Sequence, residues 1–275
     1  IIERGICVDL GATKINKTNW SILCHAPGVR WIAVDPNANN LEYLGNWAYK
    51  ASLRTVDRGL SRTGGSQTLY LTSVDSGSSL LEPVVSESNK HRTDADYFIT
   101  YRELSIETMT LAALLEEEQA EWPIAVKLDT QGSEFDILEG MTPDQWERTV
   151  CVELEATLMA EPYYSNMAKF HDVLKEMEQK GFELMRLKPI PGSLPAVASD
   201  FESTGALVEC DAVFFRRYDQ LIEANQDSRL FAIALYASYQ LWGDALALTR
   251  VAMKHASGTV LSELESLAHI LSPEA

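Results

Sequence analysis

Three aspartates each close a short apolar run. Ile6-Cys7-Val8-Asp9-Leu10 is followed at once by Gly11-Ala12. Arg30-Trp31-Ile32-Ala33-Val34 runs into Asp35-Pro36-Asn37, and Ile124-Ala125-Val126-Lys127-Leu128 runs into Asp129. A carboxylate offers two acceptor oxygens in one plane, so an acid fixed at such a place can bind both hydroxyls of a ribose. Pro36 removes a backbone donor and stops its run, which pins Asp35 at the end. Behind Asp129 come Gln131-Gly132 and then Ser133, Glu134 and Asp136, so further acids gather on one glycine turn.

The elements that position these acids read as strands and helices in alternation. Residues 124–128 form a buried strand, and Ser133 caps a helix with Glu134 and Asp136 in its first turn. In an open α/β sheet, ligands sit outside the carboxyl ends of the strands, where strand order reverses. If the first run and residues 124–129 are neighbours there, Asp9-Leu10-Gly11 and Asp129 face each other across the mouth. Asp35 then stands one position away. Lys127 either pairs with a carboxylate or reaches the rim.

Between these points Asn39 or Asn40 caps a helix with Leu41, Leu44 and Ala48 on one stripe. Leu53–Val56 is a third strand, and Thr63-Gly64-Gly65 turns into the alternating strand 68–71. Up to that point the pattern suggests parallel crossover units. Residues 75–96 read as a long loop, 97–109 as one or two strands, and Thr110 caps a helix bearing Leu111, Leu114 and Leu115. Residues 149–154 form a further strand ending near Glu153 and Glu155, followed by a polar-aromatic turn. In it Tyr163-Tyr164 reads as a surface turn or a substrate contact. A helix with Met167, Phe170, Leu174 and Met177 on one face stops at Gly181. Phe182–Lys188 and Asp211–Arg216 make a closing antiparallel pair around a mobile loop, 189–205. From Asp219 on, Ala and Leu dominate, as in a helical hairpin with Gly243 near its turn, packed on the main domain or on a second subunit. The division expected is 1–218 and 219–275.

Composition sets outer limits. Among 275 residues, Lys+Arg 23 against Asp+Glu 40 gives a net charge of −17, with 46% hydrophobic and 23% charged residues. No basic run or face is evident, which argues against nucleic acid or an anionic membrane as partner. No apolar stretch is long enough to span a bilayer. The first residues lack signal-peptide anatomy, and because a strand begins almost at once the chain reads as a piece of a longer protein. Cys7, Cys24, Cys151 and Cys210 are scattered without metal-ligand spacing, so a reducing, cytoplasmic setting with no structural metal is expected. His25, His91, His171, His255 and His269 have no partner spacing, and surface placement is expected for each. No G-x-S-x-G elbow is present, which speaks against serine hydrolysis.

Acids at successive strand ends suit a ligand that is ribosylated and cationic. S-adenosylmethionine (SAM) carries an ammonium and a sulfonium, whereas NAD brings a pyrophosphate that prefers G-x-G-x-x-G. The first turn here reads Gly11-Ala12-Thr13-Lys14-Ile15-Asn16, with a single glycine, which favours SAM.

Taken in order, the pieces resemble the FkbM-type SAM-dependent methyltransferases. They are Val8–Ala12, Val34–Asn37, Gly59-Leu60-Ser61, Gly77–Leu80, Lys127–Glu134, Ile137–Gly140 and Asp211–Phe214. The likeness covers roughly residues 6–217, and the run from Lys127 to Glu134 feeding Leu138-Glu139-Gly140 is its most specific part. It implies a seven-stranded Rossmann-like sheet, mostly parallel with an antiparallel strand, that methylates a hydroxyl of a small molecule or saccharide. Carried over, Asp9, Gly11 and Ala12 line the methionine end of SAM. Asp35 holds the ribose, Pro36 and Asn37 border it, and Leu60 and Ser61 lie beside the adenine. Asp129, with Gln131 and Glu134, stands at the methyl-transfer end, where Asp129 or Glu134 serves the hydroxyl proton.

Two departures from the family pattern stand out. Members usually carry Glu where Asp35 stands. The first motif normally continues G-A-N-x-G, whereas this chain has Ile15 at the second glycine. A β-branched side chain disfavours positive φ. Either the loop is remodelled with SAM still bound, or the pocket is lost and the chain is a catalytically inactive binding or assembly module. The acids also have plainer explanations, since Asp9 and Asp129 can cap turns and Glu134 and Asp136 suit a helix dipole. A homo-oligomer through the C-terminal helices is a further expectation.

Overall fold

A computed structural model describes residues 2, 4–12, 19–20, 23, 26–42, 44, 53–87, 90, 95–119, 121–191 and 206–272. The expectations for Ile15, Cys24, His25, Ala48, His91 and residues 192–205 therefore lie outside the described residues. In chain order the strands and helices begin with β1 (Gly5–Leu10), β2 (Val29–Val34), α1 (Ala38–Glu42), β3 (Leu53–Val56), β4 (Gly59–Leu60), β5 (Gly65–Thr72) and β6 (Thr100–Met109). There follow α2 (Leu111–Glu117), β7 (Ile124–Leu128), α3 (Glu134–Glu139), α4 (Pro143–Arg148), β8 (Thr149–Thr157), α5 (Phe170–Gln179), β9 (Phe182–Pro191) and β10 (Leu207–Arg216). The chain closes with α6 (Tyr218–Glu223), α7 (Gln226–Ser238), α8 (Trp242–Met253) and α9 (Gly258–Leu271).

Seven strands form one sheet in the order β3-β2-β1-β7-β8-β10-β9. The first five are parallel to their neighbours, while β10 runs antiparallel to both β8 and β9. The chain builds outward from β1 to β3 and then returns to place β7 on the other side of β1. That return is the reversal of strand order expected from the sequence. The crossover pattern did not extend to β4–β6, which form a second, three-stranded sheet in which β5 and β6 pair antiparallel. The two are joined by the Ser-rich stretch 73–99, and an antiparallel pair needs no crossover helix.

Strand alternation divides the core into two layers. Ile6, Val8, Leu10, Ile32, Val34, Val126 and Leu128 face α2, α3 and α5, where Leu111, Leu114, Ile137, Leu138, Val173 and Met177 are buried. Cys7, Trp31, Ala125, Cys151, Val213 and Phe215 face the C-terminal helices, joining Leu230, Phe231, Leu235, Tyr236 and Leu248 in one cluster. The Ala- and Leu-rich tail thus packs on the sheet. Its close approach depends on Gly5, where a β-carbon would fall 2.5 Å from the Phe231 ring.

Several local expectations change. The C-terminal hairpin is α7–α8, but α6 precedes it and α9 follows, and its turn lies at 239–241 with Gln240 at φ 59°. Gly243, the second residue of α8, lies close to that turn, as expected. Tyr163 and Tyr164 are both buried, with Phe98 stacked on Tyr163 at 4.0 Å, so no surface turn is present there. Met167 precedes α5 and packs with these tyrosines instead of on the helix face. Thr110 does cap α2, accepting from the Ala113 amide at 3.0 Å. Among the described residues, no helix is long and apolar enough to cross a membrane. His171, His255 and His269 are exposed, and the Cys7, Cys151 and Cys210 side chains are buried.

Candidate functional site

The site grows from the pairing of β1 with β7. Asp9 and Lys127 are register partners, and so are Leu10 and Leu128. Beyond the last pair the Asp129 amide donates to Leu10 O at 3.0 Å, while the amides of Gly11 and Ala12 donate to Val34 O on β2. Gly11 (φ 73°) turns the chain away hard against Asp129, because a β-carbon there would fall 1.8 Å from the Asp129 carbonyl oxygen. Only glycine combines that φ with that approach.

Asp9 and Asp129 share Lys127. Its Nζ lies 3.3 Å from Asp9 Oδ1 and 3.9 Å from Asp129 Oδ2. The Asp9 and Lys127 side chains are 9% exposed and Asp129 is 26% exposed, so Asp129 is the acid of this group that reaches solvent. Burial opposes the charge of Lys127, but Asp9, Asp129 and Glu153 together hold it above the ordinary lysine value. Burial pushes Asp9 up, and Lys127 draws it back down. Of the two alternatives for Lys127, pairing with a carboxylate is the one observed.

The turn after Asp129 is tied from both sides. Gln131 (φ 58°) donates through Nε2 to Asp129 Oδ1 at 3.0 Å and to Glu155 Oε2 at 3.1 Å. Its side-chain oxygen lies 3.2 Å from the Tyr164 hydroxyl, which donates to Gly77 O at 2.8 Å. Its carbonyl accepts from Ser79 Oγ at 2.7 Å. Glu155 is held well above its usual range by burial and then by Glu209, Asp129, Glu134 and Asp211.

Ser133 occupies the N-cap position of α3 but does not cap it with its side chain. The hydroxyl turns back to Thr130 instead, 3.3 Å from its carbonyl and 3.0 Å from its Oγ1. The loop amides are satisfied by Glu134, whose Oε1 accepts from Thr130 N at 2.7 Å and Gly132 N at 3.1 Å. Glu134 is 2% exposed, and burial pushes its carboxyl up to about 7 despite those amides. Asp136, by contrast, is exposed.

Asp35 is buried at the end of β2, where Oδ1 accepts from Asn37 N at 2.7 Å, and burial raises its pKa against that bond and one from Asn40. Pro36 and Asn37 are exposed beside it, and Ala12 packs with Ala33, Leu41 and Leu44. Leu60 belongs to the hydrophobic cluster that contains Val34 and Val56. The Ser61 hydroxyl bonds Thr108 Oγ1 at 2.8 Å and accepts from Gly64 N at 3.0 Å. The structure therefore brings Asp9, Gly11, Asp129, Gln131 and Glu134 together at the reversal, with Asp35 on the adjoining strand end. Among the described residues, no group of His, Cys, Asp and Glu could hold a metal ion.

Sequence reasoning missed one participant entirely. Tyr239, just past α7, is buried and its hydroxyl donates to Glu153 Oε2 while accepting from Trp20 Nε1 at 2.5 Å. A buried tyrosine needs a partner for its hydroxyl, but nothing in the run Leu235–Leu241 says which strand supplies it.

Comparison with known proteins identifies a family. The methyltransferase FkbM domain family matches residues 9–184, more than half of the chain. Similar solved structures include an FkbM methyltransferase from Methylobacillus flagellatus KT at 13% identity and TM-score 0.40, covering 78% of this chain and 44% of that one. A putative methyltransferase from Thermobifida fusca YX is 12% identical, with TM-score 0.35 and coverage of 78% and 74%. A putative RNA methyltransferase from Pyrococcus horikoshii is 10% identical, with TM-score 0.33 and coverage of 78% and 76%. The chain thus spans less than half the length of the Methylobacillus protein. No curated protein matches it. On the strength of the domain match across its parallel half, the chain belongs to the FkbM methyltransferase family.

Proposed function

We propose that this chain binds SAM at the β1–β7 reversal and transfers its methyl group to a hydroxyl of a small molecule or saccharide. The observation that carries the reading is the convergence of Gly11 and Asp129 at the strand-order reversal, with the Asp35 carboxylate closing the adjoining strand. The residues fit the cofactor chemically. Asp35 supplies the acceptor a ribose diol needs, with Pro36 and Asn37 at its border and Leu60 and Ser61 on the side assigned to the adenine. Asp9 and Ala12 support the methionine end, Asp9 through its ion pair with Lys127.

Bound SAM would supply an electrophilic methyl on a sulfonium. The chain's own part is to hold the acceptor hydroxyl in line, and positioning of that kind is worth about 7–11 kcal/mol. Of the two acids proposed for the proton, Asp129 is the better placed, because it is partly exposed and oriented by Gln131. Glu134 is spent on the loop amides and keeps residues 130–132 in shape. A reducing, cytoplasmic setting suits the scattered placement of Cys7, Cys24, Cys151 and Cys210 in the sequence.

Calorimetric titration of SAM into the unaltered chain and Asp35→Ala tests the pocket. Loss of two hydrogen bonds to a charged group predicts weakening by at least about tenfold. Undetectable binding by both proteins sinks the reading. The inactive-module alternative draws on the internal commitment of Asp9 to Lys127 and of the Gln131 side chain to Asp129, Glu155 and Tyr164. It is favoured if saturating S-adenosylhomocysteine gives no thermal shift, since ligand at 100 times its Kd should stabilise by about 2.7 kcal/mol.

A further inference from the structure

Beneath the mouth runs a row of charged side chains on three neighbouring strands. Asp9 on β1, Lys127 on β7 and Glu153 on β8 are successive register partners across three parallel strands. Register partners in a parallel ladder project from the same face, which here is the face covered by the C-terminal helices. The row does not end at the sheet. Glu153 accepts the Tyr239 hydroxyl proton, and that hydroxyl accepts from Trp20, which belongs to the connection leading out of the Gly11 turn. Tyr239 is 3% exposed and its ring meets Phe215 edge-on at 5.9 Å. One phenol therefore joins the Gly11–β2 connection, the end of α7 and a charge row that stops at Asp9 and Asp129. It lies outside residues 9–184, the segment that matches the family.

We propose that Tyr239 and Glu153 are positioning residues of the SAM site, so that the C-terminal helices complete the cofactor site rather than merely cover the sheet. The inference rests on the SAM-binding reading above. Tyr239 holds the Glu153 carboxylate toward Lys127, and Glu153 shares in fixing that ammonium between Asp9 and Asp129. The row carries three carboxylates around one ammonium, an excess of negative charge that suits a cationic ligand at its open end. The groups facing Glu153 are Tyr239 from the C-terminal layer, Lys127 and Asp9 from the neighbouring strands, Asp211 from β10, and Cys151 on β8 itself. Burial pushes Glu153 up, while Tyr239 and Lys127 lower it, so the Tyr239 hydroxyl helps keep it ionised.

The test compares the unaltered chain with Tyr239→Phe and Glu153→Gln, titrating SAM from about pH 5.5 to 8.5 and recording thermal unfolding alongside. Phenylalanine keeps the ring against Phe215 and removes only the hydroxyl. Glutamine keeps an acceptor for Tyr239, so it serves if the first variant folds poorly. In the unaltered chain, affinity falls on acidification as Glu153 takes up a proton. In Tyr239→Phe that fall moves to higher pH, and affinity at neutral pH drops about fivefold, the lower end of coupling between separated sites. In Glu153→Gln the fall attributable to this group disappears. If Tyr239→Phe binds SAM with unchanged affinity and pH profile, whatever its melting temperature, the inference is overturned and the methyltransferase reading stands. If the unaltered chain binds no SAM, both fall together.

Discussion

The backbones of Gly11 and Asp129 meet so closely that no β-carbon fits between them. It would lie 1.8 Å from the Asp129 carbonyl oxygen, at a φ of 73° that already disfavours side chains. Residues far apart in the chain are thus locked at the point where β1 and β7 part. The same contact fixes the direction in which the Asp129 side chain leaves the sheet.

Gly11→Ala should be among the most damaging single substitutions in the chain. Left-handed backbone costs a non-glycine residue about 1–2 kcal/mol, and forced overlap in a packed region adds about 1–3 kcal/mol. A loss of about 2–5 kcal/mol in urea unfolding is expected. A loss below about 1 kcal/mol, within the range of ordinary substitutions, would show that the turn relaxes freely.

Lys127 offers a test of the buried ion pair. Lys127→Met removes the ammonium and leaves Asp9 charged and uncompensated, which should cost about 3–5 kcal/mol. Adding Asp9→Asn removes the orphaned charge, so the double variant should regain most of that loss. Unfolding of the two single variants and the double variant in one cycle measures the coupling. Strict additivity would mean that the pair does not interact.

Glu134 makes stability depend on pH in a defined direction. Its carboxyl moves from 4.5 to about 7 on folding, so the folded chain holds a proton that the unfolded chain releases between those values. The stability this contributes is full below pH 4.5 and is lost as pH rises through about 7. The loss amounts to about 3 kcal/mol at most, at about 1.4 kcal/mol per pH unit. Glu134→Gln keeps an acceptor for Thr130 N and Gly132 N but has no proton to lose. The difference in unfolding free energy between the two proteins should therefore shift in favour of the variant from pH 5 to pH 8. A constant difference would show that Glu134 titrates normally.

Tyr164→Phe should keep the aromatic cluster and break its tie to the turn after Asp129. The hydroxyl lies 2.8 Å from Gly77 O and 3.2 Å from the Gln131 side-chain oxygen. Its removal leaves buried acceptors unsatisfied, for a cost of about 1–3 kcal/mol. Thermal and urea unfolding check this. Unchanged stability would mean that water replaces the hydroxyl without loss.

The sequence by itself determined the strands that carry the acids and the acids that close them. Short apolar runs bounded by Gly11, Pro36 and Gln131-Gly132 leave little choice of local structure, because turn chemistry and burial point the same way. It also determined where Asp9, Asp35 and Asp129 stand along their strands, and the ordered motifs from Val8 to Phe214 were enough to suggest the family. Tertiary structure alone decided what those side chains touch. Lys127 could have reached the rim, and only the β1–β7 register turned it onto Asp9. Ser133 looked like a cap, yet the buried Glu134 carboxylate was better able to satisfy two loop amides and displaced it from that role. Tyr163-Tyr164 looked exposed because aromatic residues among polar ones carry no periodicity, and burial came from Phe98 in another segment. Tyr239 was invisible for the same reason. Its partners, Glu153 and Trp20, are distant in the chain, and no local pattern records a hydrogen bond that exists only once α7 lies across the sheet.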